Sequence, residues 1–342
     1  MADLRCTISD IARIAKVSKA TVSRVINNKS EGVSPETAQR IREIIEELGY
    51  RPNSLARSIA NSRAKMLGLV IPDITNPFFP NLVRGIEDYA NSCGYTVFLC
   101  NTDNNPEKEE QYLLSLIDKR VDGIILVSTT SQSCTLEQLN KYNIPFVLVD
   151  RPLTNEYIDL GVYANNYKGV YTAVEYLIGC GHRDIAFLGG TRKVITTTER
   201  FEGYRDALRD ANIPLDKSLV KFGDYSIASG IAMMEKLIEE KAGFTAVMAG
   251  NDLIAIGAVK ALRHHRIKVP DQCEIIGFDG IELTEIFDPA ISTVVQPIYE
   301  IAIESAKLLI GKINGEITSS RKIIVEPTLV LRATTRNNKT QE

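Results

Sequence analysis

From residue 66 onward the chain alternates short apolar runs with amphipathic segments, and this alternation limits the folds open to it. Met66–Ile71 is a continuous apolar run, typical of a strand buried on both faces of a parallel sheet. The pattern predicts βαβ units and doubly wound parallel sheets. Further strands are predicted at 95–100, 123–127, 146–149, 185–188, 220–222, 246–249 and 274–278. Helices are predicted at 79–93, 106–119, 167–180, 199–211, 226–240, 252–264 and 298–312.

The length of this alternating region predicts more than one core. The chain has 342 residues, of which 44% are apolar and 24% charged, an ordinary composition for a globular protein. The roughly 270 residues of alternating pattern exceed the usual size of one domain. We therefore expect two α/β lobes, with ligands bound beyond the carboxyl ends of their strands.

Two short helical patterns meet at a tight turn near the N-terminus. Ser18 is placed to N-cap the second helix, whose buried face is predicted to contain Val22, Val25 and Ile26. That helix's other face presents cations and hydrogen-bond donors: Lys19, Thr21, Ser23, Arg24 and Asn27. A helix that reads a major groove needs such a face. The alternative is a polar, solvated helix in any small bundle.

Two more helices are predicted after this pair. Ser34 and Pro35 form a start signal for a third helix, which ends at Gly49. Asn53 is placed to cap a fourth helix at about 54–61. A helix of this length is unstable alone, so it needs a second copy of itself, DNA or both.

The charge of the chain is unevenly distributed. Residues 1–63, which we call the head, contain 11 Lys/Arg and 7 Asp/Glu, a net charge of +4. The remaining residues contain 29 and 36, a net charge of −7. A basic module on an acidic body is typical of a protein that binds nucleic acid through that module.

Several other classes of protein are disfavoured. The cysteines form no C-x-x-C pair, which indicates reduced thiols in a cytoplasmic protein: Cys6, Cys93, Cys100, Cys134, Cys180 and Cys273. His182, His264 and His265 lie near no cysteine pair, so we expect no metal and no cofactor. The N-terminus lacks the apolar region of a signal peptide, and no window is long enough to span a membrane.

Polar or aromatic side chains follow five of the apolar runs. These residues are Asn76, Phe78 and Phe79, then Asp150 and Arg151, then Asn251, Asp279 and Gln296. Carboxylates accept from sugar hydroxyls, arginine and amide groups donate to oxygens, and aromatic faces cover the C–H face of a sugar ring. The set predicts a small, neutral, polyhydroxylated ligand. Individually, the acidic and amide residues also suit helix caps, Asp150 and Arg151 suit an interlobe salt bridge, and the phenylalanines suit a core.

Along essentially its whole length the sequence resembles the LacI-type bacterial transcription repressors. The motifs that carry the resemblance are T-I-S-D-I-A-R-I-A-K-V-S, T-V-S-R-V-I-N, G-Y-R-P-N-S-L-A-R-S, G-L-V-I-P-D-I-T-N-P-F-F, V-D-G-I-I-L, G-H-R-D-I-A-F-L-G-G, R-F-E-G-Y-R-D-A-L, G-N-D-L-I-A-I-G-A, I-I-G-F-D-G-I-E and T-V-V-Q-P. The resemblance implies a helix-turn-helix head carried on a body with the fold of a periplasmic sugar-binding protein.

The resemblance also implies DNA-binding roles. Lys19, Ala20 and Arg24 occupy base-reading positions, and Thr21, Ser23 and Asn27 occupy phosphate-binding positions. Tyr50, Asn53 and Ala56 belong to the hinge segment, and Ile59 replaces the leucine that usually wedges into the minor groove. The loop at 28–32 is one residue longer than usual, and Ala38 stands where an arginine is common.

For the effector, the resemblance is to ribose repressors and ribose-binding proteins. The matching positions are Asn76, Phe78, Phe79, Asp150, Arg151, Arg200, Tyr225, Asn251, Asp279 and Gln296. Tyr225 takes a place often held by phenylalanine, which keeps a stacking ring and adds a hydroxyl. His182 belongs to a structural turn of the family and is expected to have no chemical role.

The implied organisation is a head at 1–63 with a hinge helix at about 53–61, and an effector-binding and dimerisation body at 64–342. Three crossovers, near Tyr163, Ile291 and Ile324, divide the body into an N-lobe (about 64–163 and 291–324) and a C-lobe (about 164–290 and 325–336). The C-terminal segment has no leucine heptad, which favours a homodimer over a tetramer.

The main hypothesis is a cytoplasmic repressor of sugar-utilisation genes, released from a palindromic double-stranded operator by a monosaccharide such as ribose. The alternative within the family is a catabolite regulator controlled by a partner protein or a sugar phosphate. A transport receptor would need an export signal. A sugar kinase would show a P-loop or a G-x-G-x-x-G motif, and neither is present.

Overall fold

The structure is a computed structural model that describes residues 6–27, 31–50, 63–129, 135–153 and 160–336. The chain divides into two compact units, Met1–Ala64 and Lys65–Glu342. Within the described residues, no helix is both long and apolar enough to cross a membrane. The cysteines in these ranges are free thiols, and Cys134 lies outside them.

The first unit contains three described helices: α1 (Ile8–Ala15), α2 (Lys19–Ile26) and α3 (Pro35–Glu47). Thr7 and Asp10 form a capping box on α1, and Ser18 accepts from the amide of Thr21 to cap α2. Between them Lys16 has a φ of 54°, the left-handed conformation that ends α1 and turns the chain. The three helices predicted from the sequence for this region are confirmed.

The core of this unit forms where the apolar faces of the three helices meet. Ile11, Val22 and Ile41 are fully buried there, and Ala38 is buried beside them. Arg40 Nη2 donates to the carbonyl of Ala15 at 2.8 Å, which ties α3 to the end of α1. The predicted hinge helix, with Asn53, Ala56 and Ile59, lies outside the described residues, as does 28–30 of the lengthened loop.

The second unit contains two six-stranded sheets, each with helices on its faces. The strands of the first sheet are parallel and lie in the order β11-β5-β4-β3-β1-β2. Their bounds are β1 (Met66–Ile71), β2 (Thr96–Asn101), β3 (Gly123–Leu126), β4 (Phe146–Val149), β5 (Leu160–Ala164) and β11 (Arg321–Val325). The helices of this lobe are α4 (Phe78–Ser92), α5 (Pro106–Asp118), α6 (Thr135–Lys141) and α12 (Ile298–Asn314).

The second sheet has the order β12-β10-β9-β8-β6-β7, and only β12 is antiparallel to its neighbour. Its strands are β6 (Ile185–Gly189), β7 (Val220–Phe222), β8 (Ala246–Ala249), β9 (Glu274–Asp279), β10 (Ser292–Val295) and β12 (Thr328–Val330). The helices of this lobe are α7 (Asn166–Gly179), α8 (Ile195–Asp210), α9 (Ile227–Glu239), α10 (Asp252–His264) and α11 (Leu283–Ile286). The predicted pair of doubly wound α/β lobes is confirmed.

The position of the second crossover corrects the expectation from the sequence. The N-lobe was expected to resume near Ile291, but β10 pairs in parallel with β9, and Val294 is buried in the C-lobe core. The chain therefore leaves the C-lobe after Val295 and enters the N-lobe as α12. The other crossovers lie near Asn165, between β5 and α7, and near Glu326, between β11 and β12. These two connections are joined, because Asn165 Nδ2 donates to Glu326 Oε1 at 2.9 Å.

Two glycines allow α9 and α10 to pack closely in the C-lobe. A Cβ added at Gly257 would overlap the carbonyl oxygen of Ile227, and one added at Gly230 would overlap that of Ile254. Backbone cannot move aside as a flexible side chain can. The close approach of these helices therefore depends on the absence of side chains at both positions.

We predict that Gly257→Ala lowers the free energy of unfolding by about 1–3 kcal/mol, the usual cost of forcing a methyl group into a packed interior. Gly179→Ala is the matched control, because a Cβ at this helical glycine meets nothing within 4 Å. That control should be neutral or stabilising by about 0.4–1 kcal/mol. Urea unfolding of both variants measures the difference, and equal stabilities would show that α9 and α10 can separate at little cost.

Candidate functional site

A cleft with a volume of about 270 Å³ lies between the two lobes of the second unit, at the carboxyl ends of the strands. Loops after β1 and β4 supply one wall, and loops after β8 and β9, with the start of α8, supply the other. The lining residues are Asn76, Phe78, Phe79, Asp150, Arg151, Thr196, Arg200, Tyr225, Asn251 and Asp279.

The aromatic part of the N-lobe wall is formed by Phe78 and Phe79 at the start of α4. Their rings are perpendicular, with centroids 5.1 Å apart, and both are buried. Asn76 Oδ1 accepts from the amide of Phe78 at 3.1 Å, which holds the turn leading into the helix. The guanidinium of Arg151 lies 6.0 Å from the centre of the Phe79 ring.

Arg151 supplies the cation of this wall. Its Nε lies 3.7 Å from Asp150 Oδ2, and its Nη1 donates to the carbonyl of Ser128 at 3.3 Å. The Ser128 turn is held from behind by buried Glu109, which accepts from the amide of Thr129 at 2.6 Å. Within the described part of the chain, Arg151 Nε is buried with no hydrogen-bond partner, so a donor remains available to a ligand.

Arg200 supplies the cation of the C-lobe wall. Its Nε donates to Asn166 Oδ1 at 2.8 Å, and its Nη2 lies 3.5 Å from Asp279 Oδ1. The guanidinium is 3.8 Å from the ring centre of Phe278. Gln296 Nε2 donates to the same Asp279 oxygen at 2.8 Å, while Gln296 Oε1 has no hydrogen-bond partner among the described residues.

The two carboxylates of the cleft lie on unusual backbone conformations. Asp150 has a φ of 64° and Asp279 a φ of 116°, which side chains other than glycine rarely adopt. Each such residue costs of order 1–3 kcal/mol, and such costs concentrate at functional sites. The loops therefore hold both carboxylates in the cleft at the expense of stability.

Burial also changes the acidity of these groups. It raises the pKa of Asp279 to about 7, against a lowering by the nearby Arg200 and a further raising by Asp150. Burial, and then the charge of Asp279, raise the pKa of Asp252 to about 8. Burial likewise raises the pKa of Asp150, which Arg151 partly offsets. The cleft thus contains two carboxyl groups whose charged forms burial disfavours, beside two guanidinium groups that favour them.

Nine of the ten effector-site candidates named from the sequence line this cleft, and the tenth, Gln296, joins it through Asp279. Asn251 is also a helix cap, since its Oδ1 accepts from the amide of Ile254 at 2.9 Å. Its Nδ2 lies 3.5 Å from the carbonyl of Tyr225. The alternative prediction that Asn251 is a helix cap is therefore confirmed. Its Oδ1 serves as the cap, and its Nδ2 faces the cleft wall.

Thr196 lines the cleft but was not among the candidates. Helix α8 was expected to begin at 199, whereas it begins at Ile195, and its first turn is polar and lacks an apolar periodicity. The run of threonines before Arg200 was the available signal. The next residue, Thr197, bonds through its hydroxyl to the hydroxyl of Tyr225 at 2.6 Å.

In the first unit, the structure places the DNA-binding candidates of α2 on one surface. Lys19, Ala20, Arg24 and Asn27 are exposed there, whereas Thr21 and Ser23 are half-buried and Tyr50 packs against the core. The hydroxyl of Thr21 bonds to that of Ser18 at 2.8 Å, and Asn27 Nδ2 donates to Ser23 Oγ at 3.3 Å. Thr21 and Asn27 are therefore each hydrogen-bonded to a neighbouring side chain.

Comparisons with known proteins match both units. Residues 7–53 match the family model for bacterial regulatory proteins of the lacI family. Residues 64–334 match the model for periplasmic binding proteins and the sugar-binding domain of the LacI family.

Two relatives and one solved structure illustrate the similarity. A ribose operon repressor of Halalkalibacterium halodurans is 39% identical, covering 98% of this chain and 99% of its own. Catabolite control protein A of Priestia megaterium is also 39% identical, covering 93% and 95%. A LacI family transcriptional regulator from Enterococcus faecium with bound ribose is 31% identical with a TM-score of 0.73, covering 80% of this chain and 100% of its own.

We predict that the ligand-free protein loses stability as the pH rises from 5 to 7. The pKa of Asp279 is about 7 in the folded chain against an ordinary value of 3.8, so between these values the native state holds a proton that the unfolded chain has released. Stability then falls with pH, by at most about 1.4 kcal/mol per pH unit for one proton. Urea unfolding at pH 5, 6 and 7 measures the slope.

Asp279→Asn should make this slope shallower by up to about 1.4 kcal/mol per pH unit, because the amide does not titrate. Asp252, whose pKa is also raised, keeps contributing to the remaining slope. Asp216→Asn is the control, since hydrogen bonds from Ser218 lower the pKa of this exposed carboxyl and it should leave the slope between pH 5 and 7 unchanged. A stability that stays level or rises over this interval in the unsubstituted protein would contradict the raised pKa of Asp279.

Proposed function

The chain belongs to the LacI family of bacterial regulatory proteins, and we propose that it represses sugar-utilisation genes and leaves its operator when ribose binds. It is a DNA-binding transcriptional regulator with a sugar-binding domain, and its relatives are regulators. The observation that carries the proposal is the interlobe cleft with its paired aromatics, two carboxylates and two guanidinium groups.

The chemistry of the cleft suits a small, neutral sugar. Hydroxyls of a pentose donate to Asp150 and Asp279, and the guanidinium groups of Arg151 and Arg200 donate to its oxygens. Arg151 Nε, which has no hydrogen-bond partner among the described residues, adds one donor. The names of the ribose operon repressor and of the ribose-bound regulator support ribose as the sugar.

A second pocket adjoins the cleft, and we call it the mouth. Asp73 and Asp224 line it, together with Arg151, Asn104, Thr191 and Ser226. Because carboxylates and a guanidinium group lie side by side there, the charge of this lining does not distinguish a neutral sugar from a sugar phosphate.

The partner-protein form of the alternative has one observation in its favour. Catabolite control protein A is as similar to this chain as the ribose operon repressor is, at 39% identity. Sugar binding decides between the two candidates, because a regulator controlled only by a protein partner would bind no monosaccharide in this cleft.

Release from DNA follows if ribose binds one arrangement of the lobes more tightly than the other, since a ligand shifts an equilibrium only by its differential affinity. The head would read one half-site through Lys19, Ala20 and Arg24 and hold phosphates through Thr21, Ser23 and Asn27. Tyr50, Asn53, Ala56 and Ile59 would complete the contacts at the hinge. We place this non-enzymatic regulator in the cytoplasm.

A second copy of the chain would supply the other half-site, since operator symmetry mirrors protein symmetry. Strand β2 supports a homodimer, because it is an edge strand of the first sheet with Phe98 and Leu99 about 40% exposed. An apolar edge of this kind is an open template for association.

We predict that Arg151→Ala weakens ribose binding by about 10- to 100-fold, the effect of losing hydrogen bonds to a charged group. Operator binding without sugar should be unchanged, because the substitution lies outside the head. Calorimetry with ribose and gel-shift titration with operator DNA measure the two properties. Arg209→Ala is the control, since this arginine is largely exposed on α8. Normal ribose binding by Arg151→Ala, with Tm intact, would make Arg151 a structural residue only.

We predict that Arg24→Ala weakens operator binding by about 1–3 kcal/mol while binding to scrambled DNA changes less, because base contacts carry specificity. Arg13→Ala removes the same charge from α1, where Arg13 is exposed and pairs with Asp10 at 2.9 Å. This control should affect both DNAs equally. An equal loss on both DNAs for Arg24→Ala would assign Arg24 to phosphate contact.

A further inference from the structure

The ring of Tyr225 forms part of the boundary between the cleft and its mouth. The cleft and the mouth are lined by different sets of residues, and four residues line both: Asn76, Phe79, Arg151 and Tyr225. The first three belong to the N-lobe, so Tyr225 supplies the C-lobe side of this boundary. A substituent that extends from a ligand in the cleft toward the mouth on the C-lobe side passes beside this ring.

The ring is held at its outer end by a hydrogen bond. Its hydroxyl lies 2.6 Å from the hydroxyl of Thr197, which is only 2% exposed in the first turn of α8. The backbone of Tyr225 is held separately, because Ser226 caps α9 by accepting from the amide of Ser229 at 3.1 Å. The side chain is thus fixed at both ends.

One face of the ring is also supported. A Cβ added at Gly190, in the loop after β6, would overlap the atoms of the Tyr225 ring, so the ring lies directly on glycine backbone. The guanidinium of Arg200 lies 5.9 Å from the ring centre. The ring has no room to retreat toward Gly190, and turning outward would break its bond to Thr197.

We infer that the Tyr225–Thr197 pair is a specificity latch that restricts the effector to a five-carbon sugar. The latched ring closes the path along which the exocyclic hydroxymethyl group of a hexose would leave the cleft. The inference rests on the proposed function, since it takes the effector to be a monosaccharide.

Ribose and allose provide a matched pair of ligands, because the pyranose form of D-allose is that of D-ribose with one hydroxymethyl group added at C5. Calorimetry on the full-length protein without DNA measures both affinities. The unsubstituted protein should prefer ribose. Thr197→Val and Tyr225→Phe should each lower the ratio of ribose affinity to allose affinity by roughly 2- to 12-fold, the range expected for one hydrogen bond.

Two further variants separate the latch from a general loosening of the wall. The two hydroxyls form a single hydrogen bond, so either substitution removes it. The variant that combines Thr197→Val with Tyr225→Phe should therefore lower the affinity ratio no further than either substitution alone. Thr198→Val is the matched control, an exposed threonine in the same turn of α8, and should keep the preference of the unsubstituted protein. Gly190→Ala should weaken ribose binding, because its methyl group displaces the ring into the cleft.

The outcomes distinguish the latch from the function on which it rests. Binding of ribose with an unchanged preference in both single variants would overturn the latch and leave the proposed function standing. Equal affinity of the unsubstituted protein for ribose and allose would also overturn the latch and leave the proposed function standing. If the unsubstituted protein binds no monosaccharide, the proposed function fails and the latch fails with it.

Discussion

Arg200 links the cleft to the connections between the lobes, because it contacts residues that lie at those connections. It donates to Asn166, which follows the first crossover, and it lies beside Asp279, which accepts from Gln296 at the second crossover. All four side chains are buried. Removing one partner of a buried ion pair costs about 3–5 kcal/mol, so these groups are retained as a set. A ligand that contacts Arg200 or Asp279 therefore also contacts the residues that join the two lobes.

The cleft contains residues whose local geometry lowers the stability of the folded body. Asp150 and Asp279 lie on strained backbone, burial raises the pKa of both, and Arg151 Nε and Gln296 Oε1 have no partner among the described residues. Elsewhere the central strands of the same sheets, β3, β4, β8 and β9, are fully buried. Such local conflicts are expected at functional sites, where the geometry that a ligand requires takes precedence over the stability of the free protein.

The strands and helices that sequence patterns predicted well are those with a continuous apolar run or a clear amphipathic face. Strand β11 was missed because it is a half-exposed edge strand that begins with Arg321 and Lys322, so it has no such run. Strand β5 was missed as well, although its five residues are fully buried. The first turn of α8 was missed for a similar reason, and with it Thr196. The second crossover was placed at Ile291 because a strand that ends a lobe has the same apolar pattern as one that begins the next lobe.

Sequence patterns alone were enough to predict the two layered lobes, the helix-turn-helix head and the strand ends that carry polar side chains. These follow from periodicity, capping residues and the rule that parallel strands end at a common edge. Which side chains bond to one another across that edge became clear only from the packing of the lobes. The pairing of Tyr225 with Thr197, and of Arg200 with Asn166 and Asp279, depends on how distant segments pack. No local pattern encodes such distances, because residues separated by tens of positions meet only once the lobes have formed.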